Sequence, residues 1–190
     1  HDALPIYKFL ETYKTELIYY PGAQFYHHAY KAGLLEHIYS MLKPVEVYTN
    51  LYNLNKDLLC TGVILHDIGK ISCMNVSTET GIATDFTLSG DFNGHMIEGI
   101  KALTHLASNL KINPTLLLIL ENMIISHHYE SVWGAYEKPK TKEAMILHFL
   151  DICDSKLNIA CNALNNVEPN TFSEKTYELG EIKKLYNYEE

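Results

Sequence analysis

The stretch VILHDIGK (Val63–Lys70) sets a histidine and an aspartate side by side at the end of an apolar run. An unpaired carboxylate is expensive to place in a core, so Asp67 needs either a protein partner or a cation. Working outward, NKDLLCTGVILHDIGK (Asn55–Lys70) has the periodicity of a strongly apolar helix, with Gly69 close to its end. Its surroundings are mostly helical too. DALPIYKFLETYKTELIYY opens with Asp2 as an N-cap candidate and Pro5 in the first turn. AYKAGLLEHIYSMLKPVEVYTNLYNL resumes the helical pattern after the breaker YPGAQ, and Pro44 should kink or divide it. Three more helices are expected in HMIEGIKALTHLASNLK, NPTLLLILENMIISHH and TKEAMILHFLDICDSKLNIACNAL, the last two joined by the linker YESVWGAYEKPK. Between residues 71 and 93 the composition turns to Thr, Ser, Gly and Asp with some alternation, which predicts a β-hairpin or ordered loop insertion. The tail, residues 167–190, is polar and aromatic, with weak strand character in TYELG and KKLYNY. The expected fold is all-α, a bundle of about seven helices with a small hairpin, in a single domain over residues 1–190.

Composition narrows the function. Apolar residues make up 47% of the 190 and charged residues 20%, as in an ordinary globular protein, and no apolar segment reaches the ~20 residues that span a bilayer. The N-terminal HDALPIYKFL has no cationic segment leading into an apolar one and lacks an initiator Met, so a trimmed chain without a secretory signal is expected. The four cysteines form no CxxC pair, and they read as buried free thiols of a cytoplasmic protein. The net charge of −8 argues against a broad basic surface for nucleic acid. All 15 cationic residues are Lys, so bidentate arginine recognition of phosphate is unavailable; Lys, backbone N–H groups or metal must serve instead.

The ten histidines are the outstanding feature. His37 follows Gly33 in one helix, and His66 and Asp67 close another. His95 begins the helix after the hairpin, His127 and His128 end the next, and Asp151 lies within the last. Each alone has a plain reading as a core residue, and His105 and His148 are expected to be of that kind. Together, two carboxylates and several imidazoles on apolar helices would be costly to bury without a cation. The donor types suit Mn, Fe, Co, Ni or Zn better than Mg. They are too many for one octahedral ion, so two divalent ions sharing Asp67 are the economical arrangement.

The order His37, His66–Asp67, His95, His127–His128, Asp151 resembles the HD-domain metal-dependent phosphohydrolases, and HDIGK matches a form common among them. FYHHAYKAGLLEH, GVILHDIGKI, TLSGDFNGH, ISHHYESVWG and KEAMILHFLDICDSKLN are similar to the HD domain of YhaM-type 3′→5′ exoribonucleases, as is the closing FSEKTYELGEIKKLYNY. That family carries an N-terminal OB-fold module ahead of its HD domain, whereas this chain begins with the HD domain's leading helix. The resemblance implies His37, His66, Asp67 and Asp151 around one ion, and Asp67, His95 and one or both of His127 and His128 around the second. It implies a phosphodiesterase acting on single-stranded RNA or short oligonucleotides. The alternatives are hydrolysis of small nucleotides or dinucleotides, or a nucleotide-binding module without turnover; a homo-oligomer is compatible with each. Asp67 and Lys70 are the catalytic candidates, with Lys70 placed one turn on to meet a phosphate oxygen. Lys70 and His28 are the substrate-binding candidates, and His27 could line the same side. Trp133 reads as a core anchor, and Lys138, Lys140 and Lys142 as a solvated loop.

Overall fold

The computed structural model describes residues 4–108, 110–180 and 184–190, with the side chains of residues 4 and 5 set aside. The expected N-cap Asp2 lies outside them. Helix α1 spans Leu4–Leu17 with Pro5 in its first turn. Pro44 divides rather than kinks the next segment: α2 is Gly33–Leu42 and α3 is Val45–Tyr52. Helix α4, Lys56–Leu65, starts where the Asn55 side chain accepts a hydrogen bond from the Leu58 N–H at 3.0 Å. It stops five residues short of Lys70, and HDIG forms a turn leading into the short helix α5, Lys70–Cys73.

The hairpin is real but smaller than the expected insertion. Strands β1 (Met74–Val76) and β2 (Ala83–Phe86) pair antiparallel, with a register irregularity after Asn75. Helix α6 then begins at Leu88 and runs to Ser108, taking in residues expected to be loop. Gly94, at φ 69° and ψ 166°, breaks it, so His95 does open a helical segment. Helix α7, Pro114–Ser126, has Asn113 as its cap and Pro114 in the first turn. Helix α8, Lys142–Leu164, is capped by Thr141, whose hydroxyl accepts from the Ala144 N–H at 3.0 Å. In the tail, β3 (Thr171–Phe172) pairs with β4 (Tyr186–Asn187), and TYELG is not a strand but holds a 3₁₀ turn, Tyr177–Leu179.

The core is one apolar cluster drawn from Phe9 and Leu17 of α1, Ile38 and Met41 of α2, Leu59 and Val63 of α4, Leu103 of α6, Met123 and Ile124 of α7, and Leu147 of α8. Each such side chain contributes about 1.5–3 kcal/mol by leaving water. Because α2, α4, α6, α7 and α8 all send apolar faces into this cluster, the residues at its upper edge are brought to one place. Gly69 sets how close α6 can come. A Cβ there would lie 1.8 Å from the His95 carbonyl oxygen and 2.4 Å from the Gly99 nitrogen. The cysteines are free as expected, but Cys153 and Cys161 are exposed on α8 rather than buried.

Candidate metal centre

The side chains gathered at this edge are aimed by their outer nitrogens. His66 donates from Nδ1 to the Val63 carbonyl at 2.8 Å, and His127 to the Ile124 carbonyl at 2.7 Å. His128 donates to the Trp133 carbonyl at 2.6 Å. A carbonyl only accepts, so in each ring Nδ1 carries the proton and Nε2 keeps the lone pair. His37 is held differently: its Nδ1 meets Asp154 Oδ2 at 2.7 Å.

The Nε2 atoms of His37, His66, His95 and His127 converge on two carboxylates. His37 Nε2 lies 3.3 Å from Asp151 Oδ1 and 3.9 Å from Asp67 Oδ2, and His66 Nε2 lies 3.3 Å from the same Asp67 oxygen. The other Asp67 oxygen, Oδ1, faces His95 Nε2 at 3.6 Å and His127 Nε2 at 3.7 Å. Asp67 is 1% exposed, and His37, His66 and His127 are fully buried. Yet Nε2 of His37, His66, His95 and His127 and Oδ1 of Asp67 have no hydrogen-bond partner among the described residues. Buried polar atoms are normally satisfied, so five orphans pointing at one spot describe a cradle for something that accepts lone pairs. Four donor triads are close enough to share an ion: His37–His66–Asp151, His66–Asp67–His127, His95–His127–His128, and His27–His28–His37 on the flank of the cradle. Imidazole with carboxylate is the donor chemistry of divalent transition ions, and these residues fit one.

The charge states of Asp67, Asp151, His95 and His127 agree with this. Burial alone would raise the Asp67 carboxyl, but the Lys70 ammonium and the His66 ring outweigh it and hold Asp67 well below the usual carboxylate range. Burial would likewise raise Asp151, which the His37 ring 3.3 Å away brings down instead. Burial pushes His95 down to about 3 and His127 far down as well, keeping both rings neutral and able to donate a lone pair. For His37 burial opposes the charge, but the Asp151 and Asp154 carboxylates beside it prevail and raise it to about 9, so this ring must shed a proton to donate a lone pair.

A helical ligand cradle built on an HD pair is matched by the HD-domain family model over residues 34–156, more than half of the chain. The chain belongs to the HD-domain family. HD domains bind divalent metals, and the family is one of metal-dependent hydrolases. This HD domain is 37% identical over 171 residues to the 3′-5′ exoribonuclease YhaM of Geobacillus sp. (strain WCH70), covering 90% of this chain and 52% of that relative. The chain thus spans about half the length of the curated relative it matches. No solved structure matches it. Among the described residues, no helix is long and apolar enough to cross a membrane.

Around the cradle of this HD domain, several residues lie elsewhere than expected. His28 is 2% exposed, and it spends both ring nitrogens inside the protein, Nε2 on Asp154 at 2.8 Å and Nδ1 on the Tyr30 hydroxyl at 2.9 Å. It braces Asp154, and through it His37, rather than facing substrate. Asp154 itself was missed. Its signal is the spacing of DICD: a carboxylate three residues after Asp151 shares that helix face. The His28 and His37 bonds outweigh its burial and lower its carboxyl to about 2. His148 donates from Nδ1 to the His127 carbonyl at 2.7 Å, as an orienting residue should, whereas His105 is exposed and not in the core.

Lys70 meets Asp67 Oδ2 at 2.6 Å and the Gly22 carbonyl at 2.5 Å. It lines two cavities, of about 680 and 600 Å³, which share only it and Tyr26 among their lining residues. The larger reaches Asp151 and His128, and the smaller reaches His95. Trp133 is no core anchor: 53% exposed in a 3₁₀ turn (Ser131–Trp133), it borders the larger cavity. The loop lysines are engaged locally, Lys138 with Glu130, Lys140 with Glu137 and Lys142 with the Asn53 carbonyl.

Proposed function

We propose that this HD domain is a metal-dependent phosphodiesterase that removes 3′-terminal nucleotides from single-stranded RNA or short oligonucleotides, through a water activated by two divalent ions. The observation that carries the reading is the divided Asp67 carboxylate, with Oδ2 toward His37 and His66 and Oδ1 toward His95 and His127. His37, His66, Asp67 and Asp151 would hold one ion, and Asp67, His95, His127 and His128 the other, with Mn foremost and Fe, Co, Ni or Zn able to serve. Bound there, divalent ions supply a water deprotonated near neutral pH and positive charge against a phosphate. The protein does the rest. Asp154 and the carbonyls of Val63, Ile124 and Trp133 fix the rings. Lys70, held by Asp67 and Gly22, stands where its ammonium can meet a non-bridging phosphate oxygen before any rearrangement.

Two cavities meeting at Lys70 give room on both sides of a phosphate, which a diester needs and a monoester does not. The similarity to an exoribonuclease supports RNA as the substrate. The free thiols fit a reducing cytoplasm. Residues 1–190 are proposed as a single unit, because Phe9 and Leu17 of α1 share one core with α8.

The test is a 5′-labelled single-stranded RNA with Mn²⁺. The expected result is a ladder of one-nucleotide steps from the 3′ end, and Asp67→Ala is expected to abolish both the ladder and bound metal. An intact oligonucleotide beside a hydrolysed dinucleotide would overturn the exonuclease reading in favour of a small-nucleotide enzyme.

A further inference from the structure

The larger cavity extends well beyond the ligand cradle, and what lines that extension is chemically uneven. Three aromatic side chains border it and remain largely in solvent: Trp133 at 53%, Tyr26 at 63% and Tyr177 at 71% exposed. Many aromatic rings of this chain are exposed, but these three gather around one hollow and make a surface suited to flat apolar partners. The same hollow holds a second ammonium after Lys70. Lys156 stands on α8, five residues beyond Asp151, and is tied at 3.0 Å to the Glu178 carbonyl of the turn that carries Tyr177. Ring faces beside ammonium groups are the surface that single-stranded nucleic acid uses, a base on the ring and a phosphate on the ammonium.

The position of Trp133 relative to the cradle is also fixed. Its carbonyl accepts the His128 Nδ1 proton at 2.6 Å, so its backbone is fastened to a residue of the candidate centre. Gly134, at φ 94°, ends the turn directly after it.

We infer that this cavity seats the nucleotide adjoining the one that is released, with its base stacked on Trp133 beside Tyr177 and its phosphate on Lys156. The inference rests on the phosphodiesterase reading and adds a requirement to it: a substrate must be at least two nucleotides long to use the site fully. It also explains how an acidic, arginine-free chain can grip RNA, since ring faces replace most of the missing positive charge.

Trp133 is the single tryptophan of the chain, so its emission reports on this site alone. With Ca²⁺ in place of Mn²⁺ to prevent turnover, triuridylate should quench it saturably, and uridine monophosphate should need at least roughly tenfold higher concentration. Kinetics give an independent measure. Trp133→Ala should lower kcat/KM for the trinucleotide by roughly 10- to 100-fold, mainly through KM, and Trp133→Phe should restore most of it. Metal content should persist in both, because the carbonyl that holds His128 belongs to the backbone. Lys156→Gln should flatten the salt dependence of trinucleotide binding. Binding and cleavage of the trinucleotide with unchanged emission would overturn the inference alone. So would an equal kinetic loss on bis-p-nitrophenyl phosphate. Failure to bind or cleave any oligonucleotide would overturn the phosphodiesterase reading, and this inference with it.

Discussion

Asp154 is the residue whose role is most exposed to test. It takes one hydrogen bond from His37 and one from His28 on the same oxygen, so it alone among the ring supports of the cradle is a side chain. Asp154→Asn keeps the shape but weakens both bonds. It should reduce metal affinity by about 10- to 100-fold, the usual cost of losing an outer partner of a ligating histidine, as read by competition with a fluorescent chelator. Lys70 should behave differently. Lys70→Met removes the ammonium that meets Asp67 Oδ2 but removes no proposed ligand, so metal content should largely hold while kcat/KM falls on the order of 100-fold. An unchanged kcat/KM would remove Lys70 from the chemistry. The two variants separate holding the ion from handling the phosphate.

At the scale of elements, the centre depends on how closely α6 approaches the HDIG turn. Gly69→Ala would drive a methyl group into the His95 carbonyl, and neither backbone can yield cheaply. About 3 kcal/mol of destabilisation is expected, at the upper end of overpacking costs, with a lowered Tm and a weakened second metal equivalent in titration. The helices carrying the histidines were legible in the sequence because each is long and strongly periodic, as in α4, α7 and α8. Pro44 was legible as a divider, although not the choice between kink and break. The limits of α6 were not. Residues 88–93 read as loop by composition, and their helix is secured by tertiary packing and capping that no local pattern shows, including the Thr87 hydroxyl accepting from the Gly90 N–H. The roles of His28 and Trp133 were hidden for a similar reason. A histidine in an irregular loop and a tryptophan in a linker carry no periodicity, so only three-dimensional contact shows which one turns inward.

For the molecule as a whole, the buried rings make stability a function of pH in both directions. In the metal-free chain, His95 titrates at about 3 folded and near 6.5 unfolded. Between those values the unfolded chain binds a proton that the folded chain refuses, so stability falls as pH drops below about 6.5. His37 titrates at about 9 folded, so between 6.5 and 9 the folded chain holds the extra proton, and stability is lost as pH rises through that window. Tm of the metal-free chain should therefore peak near pH 6.5. Adding Mn²⁺ should raise Tm and remove the alkaline decline, since His37 must release its proton to become a ligand, and calorimetry in two buffers would count that proton. The anchoring of the rings has one further consequence. Three of the five histidines, His66, His127 and His128, have their outer nitrogens secured by peptide carbonyls, which every amino acid possesses, so a change of side chain at positions 63, 124 and 133 that keeps the backbone in place keeps those acceptors. Descendants of this chain are thus free to change the walls of the hollow and the nucleic acids they accept, while the centre itself is inherited with the backbone.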